Sequence, residues 1–234
     1  MTAVFFLTTI QSCKKDCFAV KGSGPVISKY YQVPEFTSVS NSLNANLIIV
    51  QDSVQTVQID AQSNIHDILK IQTIGSQLQI GYSKNCGSIK HDPIMIYIHV
   101  LTLSGLNISG SGNAEIPQLL STSHMTLSIS GSGNITAAVQ AAGSIKGDIS
   151  GSGNISLSGI CENEDFHISG SGSVNAFALQ SEISEISISG SGDADVLVNQ
   201  HLDASISGSG DIRYKGNAQT NVSVSGSGTV THVE

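Results

Sequence analysis

The residues best placed to do chemistry in this sequence are serines between glycines. Ser-Gly-Ser-Gly recurs along the second half of the chain. Such a segment could cradle a phosphate or present a nucleophile. A Walker loop, however, ends in Lys-Ser/Thr at the start of a helix, and a dinucleotide loop is Gly-x-Gly-x-x-Gly opening a helix. Neither context is present. The Gly-x-Ser-x-Gly elbow of esterases lacks its first Gly in every copy. Seven copies also point to architecture rather than to seven sites.

Acidic residues offer a second chemistry. Repeats of the form Gly-Gly-x-Gly-x-Asp bind calcium in β-rolls. Asp193, Asp195 and Asp211 fall near the Gly-rich segments, which makes Asp193 and Asp211 the calcium candidates. Calcium draws most of its affinity from several carboxylates, and most copies carry Asn, Ser or Thr at that position. The competing reading is a polar ladder through Asn113, Asn134, Asn154, Asp193 and Asp211. Glu162, Glu164 and Asp165 cluster after Cys161 without a basic partner, as a solvated charged turn would. Glycoside cleavage needs paired carboxylates about a substrate. The seven histidines show no i, i+2 or i, i+4 pairing that would suggest a metal.

The cysteines are Cys13, Cys17, Cys86 and Cys161. Residues Ala3 to Ile10 are apolar and too short for a bilayer span of ~20 residues, but suit a secretory signal. Ile10-Gln11-Ser12-Cys13 resembles a lipobox, so Cys13 is the candidate lipidation site. The positive residues usual before such a run are missing. Cys86 and Cys161 could pair in an oxidising compartment. A zinc site lacks the Cys-His set it needs.

The elements that would position these residues follow from the repeat. Ile-Ser-Gly-Ser-Gly begins at Ile108, Ile129, Ile149, Ile168, Ile188 and Ile206, with a Val variant at Val224. The intervals are 21, 20, 19, 20, 18 and 18 residues. Apolar and polar residues alternate before each copy, as in Met125-Thr126-Leu127-Ser128-Ile129, the period of a half-buried strand. A βαβ crossover needs a dozen or more residues in the connection alone, and no helical period occurs. Stacked coils explain why identical residues recur, because equivalent positions then align in ladders ~4.8 Å apart. The fold expected is all-β: a right-handed parallel β-helix of about seven coils, each of 18–21 residues. The corner glycines are expected to supply positive φ at the bends. Residues 1–12 read as a lipoprotein-type signal and 13–32 as a lipid-anchored tether. Residues 33–234 read as one domain, with degenerate coils over 33–104 and regular coils over 105–234. Within the first part, Val39-Ser40-Asn41 echoes Ile108-Ser109-Gly110, and 64–69 reads as a short helical turn.

Leu69-Lys70-Ile71-Gln72-Thr73-Ile74-Gly75-Ser76-Gln77-Leu78-Gln79-Ile80, then a hydrophobic strand, then Ile108-Ser109-Gly110-Ser111-Gly112-Asn113 and its later copies form an ordered pattern. It resembles the family of auto-transporter adhesins with a head GIN domain, from about Phe36 to Val230. The resemblance implies a right-handed β-helix on an exported bacterial protein. It brings no agreed catalytic residues.

Composition narrows the function. Charged residues make up 12% of the chain, with a net charge of −8 and one arginine. Nucleic-acid binding needs clustered Lys and Arg, so it is excluded. The expectation is a non-catalytic lipoprotein of the bacterial envelope, at the outer membrane. Its membrane contact would run through the lipid alone. Its partners would be a glycan, extracellular matrix or an envelope protein, with self-association through open strand edges as a further option. The alternative is a carbohydrate-active lyase or hydrolase on the same scaffold. No cofactor is expected apart from the calcium candidates.

Overall fold

The computed structural model describes residues 19–83 and 88–234. Strands hold 63% of the residues and helix 2%, and they stack as a parallel β-solenoid of about six turns. The seven Ser-Gly-Ser-Gly corners lie along one column of this stack.

Each coil is two strands joined by a Ser-Gly-Ser-Gly corner. Before the corner, Gly105–Ile108, Met125–Ile129, Ser144–Ile149 and Asn163–Ile168 pair in parallel and in register. After it, Ala114–Thr122, Ile135–Ala141 and Ile155–Ile160 also pair in parallel, with one register shift in Ala114–Thr122 between Ile116 and Leu120. In the next two coils the strands run on through the turn as Val174–Ile188 and Ala194–Gly208. Period-two alternation decides the core. Ile108, Ile129, Ile149, Ile168, Ile188 and Ile206 are each at most 1% exposed, and they stack in one column. A second column runs Leu106, Leu127, Gly147, Phe166, Ile186, Ala204. Gly147 sits beside Phe166 because a Cβ there would lie 2.7 Å from the ring. A large side chain is thus matched to an empty neighbour, which keeps the interior filled.

The first part combines degenerate coils with an antiparallel layer. Ser38–Asn41 and Ala45–Gln51 continue the stack under Gly105–Ile108 and Ala114–Thr122, and Gln77–Tyr82 and Ile94–Val100 add a further parallel rung beneath them. The rest folds back on itself. Thr56–Gln62 runs antiparallel to Ile94–Val100, and Leu69–Ile74 forms a hairpin with Gln77–Tyr82, turned at Gly75 with φ +61°. Val26–Tyr30, Thr56–Gln62 and Leu69–Ile74 make up the antiparallel layer at this end, joined to the rung of Gln77–Tyr82 and Ile94–Val100. Ser63–His66 is the one short helix among the described residues. The echo between Val39 and Ile108 is two residues out of register: Val39 pairs with Leu106 and Asn41 with Ile108. A shift of two keeps inward residues inward. It is possible because buried Asn41 closes its own turn, accepting from Leu43 N–H and donating to Leu43 O, each at 3.1 Å.

From residue 19 onward the expected tether is part of the fold. Val20–Lys21 pairs with Ile89–Lys90, and Val26–Tyr30 adds antiparallel to Thr56–Gln62. Val-Ile-Ser-Lys-Tyr is a strand-forming run, and Thr56–Gln62 offers it an edge. Cys13 lies outside the described residues, as does the apolar run before it.

Candidate binding surface

The corner begins with its glycines. The second Gly of every corner but the last, such as Gly112, Gly133, Gly153 and Gly172, is buried. A Cβ on Gly133 would lie 1.9 Å from the carbonyl oxygen of Gly112, and one on Gly153 1.8 Å from that of Gly133. The Cγ2 of the preceding coil's corner Ile is also within 2.9 Å of the Gly133 and Gly153 positions. Coils therefore meet here backbone to backbone, with no room for a side chain. Positive φ is not the general reason for these glycines: at the corners only Gly208 (φ 158°) and Gly226 (φ 138°) have it. The first Gly of each corner accepts a hydrogen bond from above, as in Ser152 N–H to Gly131 O and Ser171 N–H to Gly151 O, both 3.1 Å.

Small glycines inside leave the serines outside. Ser109, Ser130, Ser150, Ser169, Ser189 and Ser207 are exposed in one column, and Ser111, Ser132, Ser152, Ser171, Ser191, Ser209 and Ser227 in another. Beside them runs an amide ladder. Asn134 donates its backbone N–H (3.1 Å) and its side-chain amide (2.9 Å) to Asn113 Oδ1. Asn154 does the same to Asn134, both at 3.0 Å, and Ser173 N–H donates to Asn154 Oδ1 at 2.9 Å. A second run joins Asp211 N–H to Asp193 Oδ1 (2.9 Å) and Thr229 N–H and Oγ1 to Asp211 Oδ1 (2.8 and 2.7 Å). The Thr229 bonds hold the Asp211 carboxyl below the usual range. Each of the two calcium candidates thus has an oxygen engaged in the ladder. Asp195 turns to Arg213, accepting from its Nε at 2.7 Å. Among the described residues no group of three His, Cys, Asp or Glu side chains is arranged to hold a metal ion.

The charged turn after Cys161 proves to be mixed. Glu162 is exposed, but Glu164 is 2% exposed and points into the core. Counting back by twos from corner residue Ile168 reaches Phe166 and then Glu164, so alternation did mark it as inward. Burial pushes its carboxyl up to about 8, and the nearby Ser184 and Ser181 hydroxyls oppose the rise. It is therefore a neutral acid at pH 7. Burial, with Glu164 as a lesser cause, pushes the Cys161 thiol up to about 12. Cys161 is buried, and Cys86, its candidate partner, lies outside the described residues.

A groove of about 430 Å³ is lined by Ala141, Ala142, Ile160, Cys161, Glu162 and Glu182. Glu182 N–H donates to Glu162 O at 3.1 Å, so these two residues occupy successive rungs of one column. They stand on the same wall. On the neighbouring face Asp165, Glu185 and Asp203 also stack in register, with Lys146 bonded to Asp165 at 3.3 Å. The histidines His167 and His201 pair with Asp165 and Asp203 at 2.8 and 3.1 Å. Sequence spacing concealed these pairs, since 165/167 and 201/203 combine one His with one Asp rather than two His.

Stacked corners, a capped first coil and a polar ladder define a parallel β-solenoid, and residues 35–218 match the family model "Putative auto-transporter adhesin, head GIN domain". The chain belongs to that family. Solved structures share the fold. A protein of Bacteroides fragilis described as a putative adhesin has TM-score 0.84 at 24% identity, covering 92% of this chain and 100% of its own. One of Parabacteroides distasonis described as a putative lipid binding protein has TM-score 0.77 at 24% identity over the same shares. A putative adhesin of Parabacteroides merdae has TM-score 0.72 at 22% identity, covering 93% and 100%. No curated protein matches the chain.

Proposed function

We propose that the chain is a non-catalytic binding module of the bacterial cell envelope, presenting its corner columns to a neutral glycan. The observation that carries this reading is the pair of exposed serine columns beside the Asn113–Asn134–Asn154 ladder. They offer regularly spaced, uncharged donors and acceptors, which match sugar hydroxyls better than they match a charged partner. Matrix or envelope proteins remain alternative partners. The name of the family and of its structural neighbours supports surface presentation. Lipidation of Cys13, placing the module at the outer membrane, belongs to the same proposal. No helix among the described residues is long and apolar enough to cross a membrane.

Glycan-array binding tests the reading. A hit that weakens at least tenfold in a Ser132→Ala/Ser152→Ala double variant supports it. No glycan binding, or binding indifferent to these serines, overturns it. Glycan cleavage abolished by Glu162→Gln or Glu182→Gln would instead establish the enzyme alternative. Mass spectrometry of the mature N-terminus checks the anchor: a diacylglyceryl adduct on Cys13 is expected.

A further inference from the structure

The two ends of the coil stack are finished differently. At the first end, the antiparallel layer covers the core, and its outer strands carry charge: Lys29 in Val26–Tyr30 and Lys70 in Leu69–Ile74. Edge strands are commonly kept from pairing by such lysines. At the last end, Gln219–Gly226 pairs only with Ala194–Gly208, and Val230–His232 only with Ile212–Lys215. Every residue of Gln219–Gly226 is exposed. Thr220, Val222 and Val224 continue the core columns of Leu202, Ala204 and Ile206. In those earlier residues the columns are at most 3% exposed, whereas Val222 is 45% and Val224 42% exposed. From Gly216 to Thr231 there is no Asp, Glu, Lys, Arg or Pro. The edge therefore lacks the usual devices against pairing, and its core end is uncovered.

We propose that a second copy of this chain covers this end, Gln219–Gly226 pairing antiparallel with itself about a two-fold axis through Val222. The occupant follows from pattern and charge. An antiparallel two-fold at Val222 sets Val222 against its own copy and Thr220 against Val224, so core positions face core positions. Asn221 and Ser223 then meet on the outside. The strand is uncharged, so no like charges are brought together. The lysine-bearing cap at the other end prevents further addition, so the assembly closes at two rather than growing into a fibre. This goes beyond the glycan reading and stands or falls separately from it.

Sedimentation of the full chain over 1–100 µM, together with oxidative cross-linking, tests the proposal. A dimer is expected, with at least a tenfold weaker association constant for Val222→Lys at unchanged far-ultraviolet circular dichroism. Val222→Cys should give a disulfide-linked dimer under mild oxidation that the parent chain does not form. A monomer throughout, an assembly that Val222→Lys leaves intact, open-ended polymers, or a Val222→Cys chain that fails to cross-link would each overturn it.

Discussion

At the scale of single residues, two positions carry more than their type suggests. Gly133 is one. Its Cβ would overlap the Gly112 carbonyl at 1.9 Å, and backbone cannot yield as a flexible side chain does. Gly133→Ala should therefore lower stability by more than about 3 kcal/mol, above the range of an ordinary surface change, measurable by urea unfolding. Glu164 is the other. Its carboxyl is raised from 4.5 to about 8 in the folded chain. Between these values the folded state holds a proton that the unfolded chain has released, so stability is full below pH 4.5 and falls until about pH 8. The loss is on the order of a few kcal/mol. Thermal unfolding from pH 5 to 8.5 should show this decline, and Glu164→Gln should flatten it.

At the scale of elements, the ladder and the strands were legible in different degrees. Strict alternation with a corner Ile every 18–21 residues marked the parallel strands, and Asn at the end of successive corners marked the ladder. Asn134→Ala removes the side-chain donation to Asn113 and the two bonds Asn134 Oδ1 accepts from Asn154, while the backbone N–H of residue 134 still donates to Asn113. At this exposed edge it should cost about 1 kcal/mol, read by chemical denaturation. Three things were not legible. Alternating runs such as Thr56–Gln62 and Ile94–Val100 look alike whether their neighbours run parallel or antiparallel, because the period is two in both. Val26–Tyr30 is short enough to pass for a linker until an edge is available to it. The corner glycines were readable as corners but not for their cause, since backbone contact between coils lies 20 residues away in sequence.

At the scale of the whole molecule, stability is a sum over coils and their nearest neighbours, which makes coils separable when their interiors agree. Deleting Ser189–Ile206 joins Ile188 to Ser207 and preserves the Ser-Gly-Ser-Gly corner. That 18-residue deletion should fold with its strand content retained and its melting temperature lowered only modestly. Deleting residues 131–150 also preserves the corner, but it removes Gly147 and brings Leu127 beneath Phe166. That variant should be markedly less stable or fail to fold. Circular dichroism with thermal melting distinguishes the two outcomes.

The backbone contact at the corners also bears on how the chain would respond to load. Each coil is held only by the coils above and below it, through parallel ladders and the buried glycine column. A pull on the last coil, directed along the stack, would detach its rung before straining the next. Extension would then come in successive releases of 18–21 residues rather than in one rupture. A module built this way would yield gradually, dissipating work at each step while the rungs beneath stayed folded.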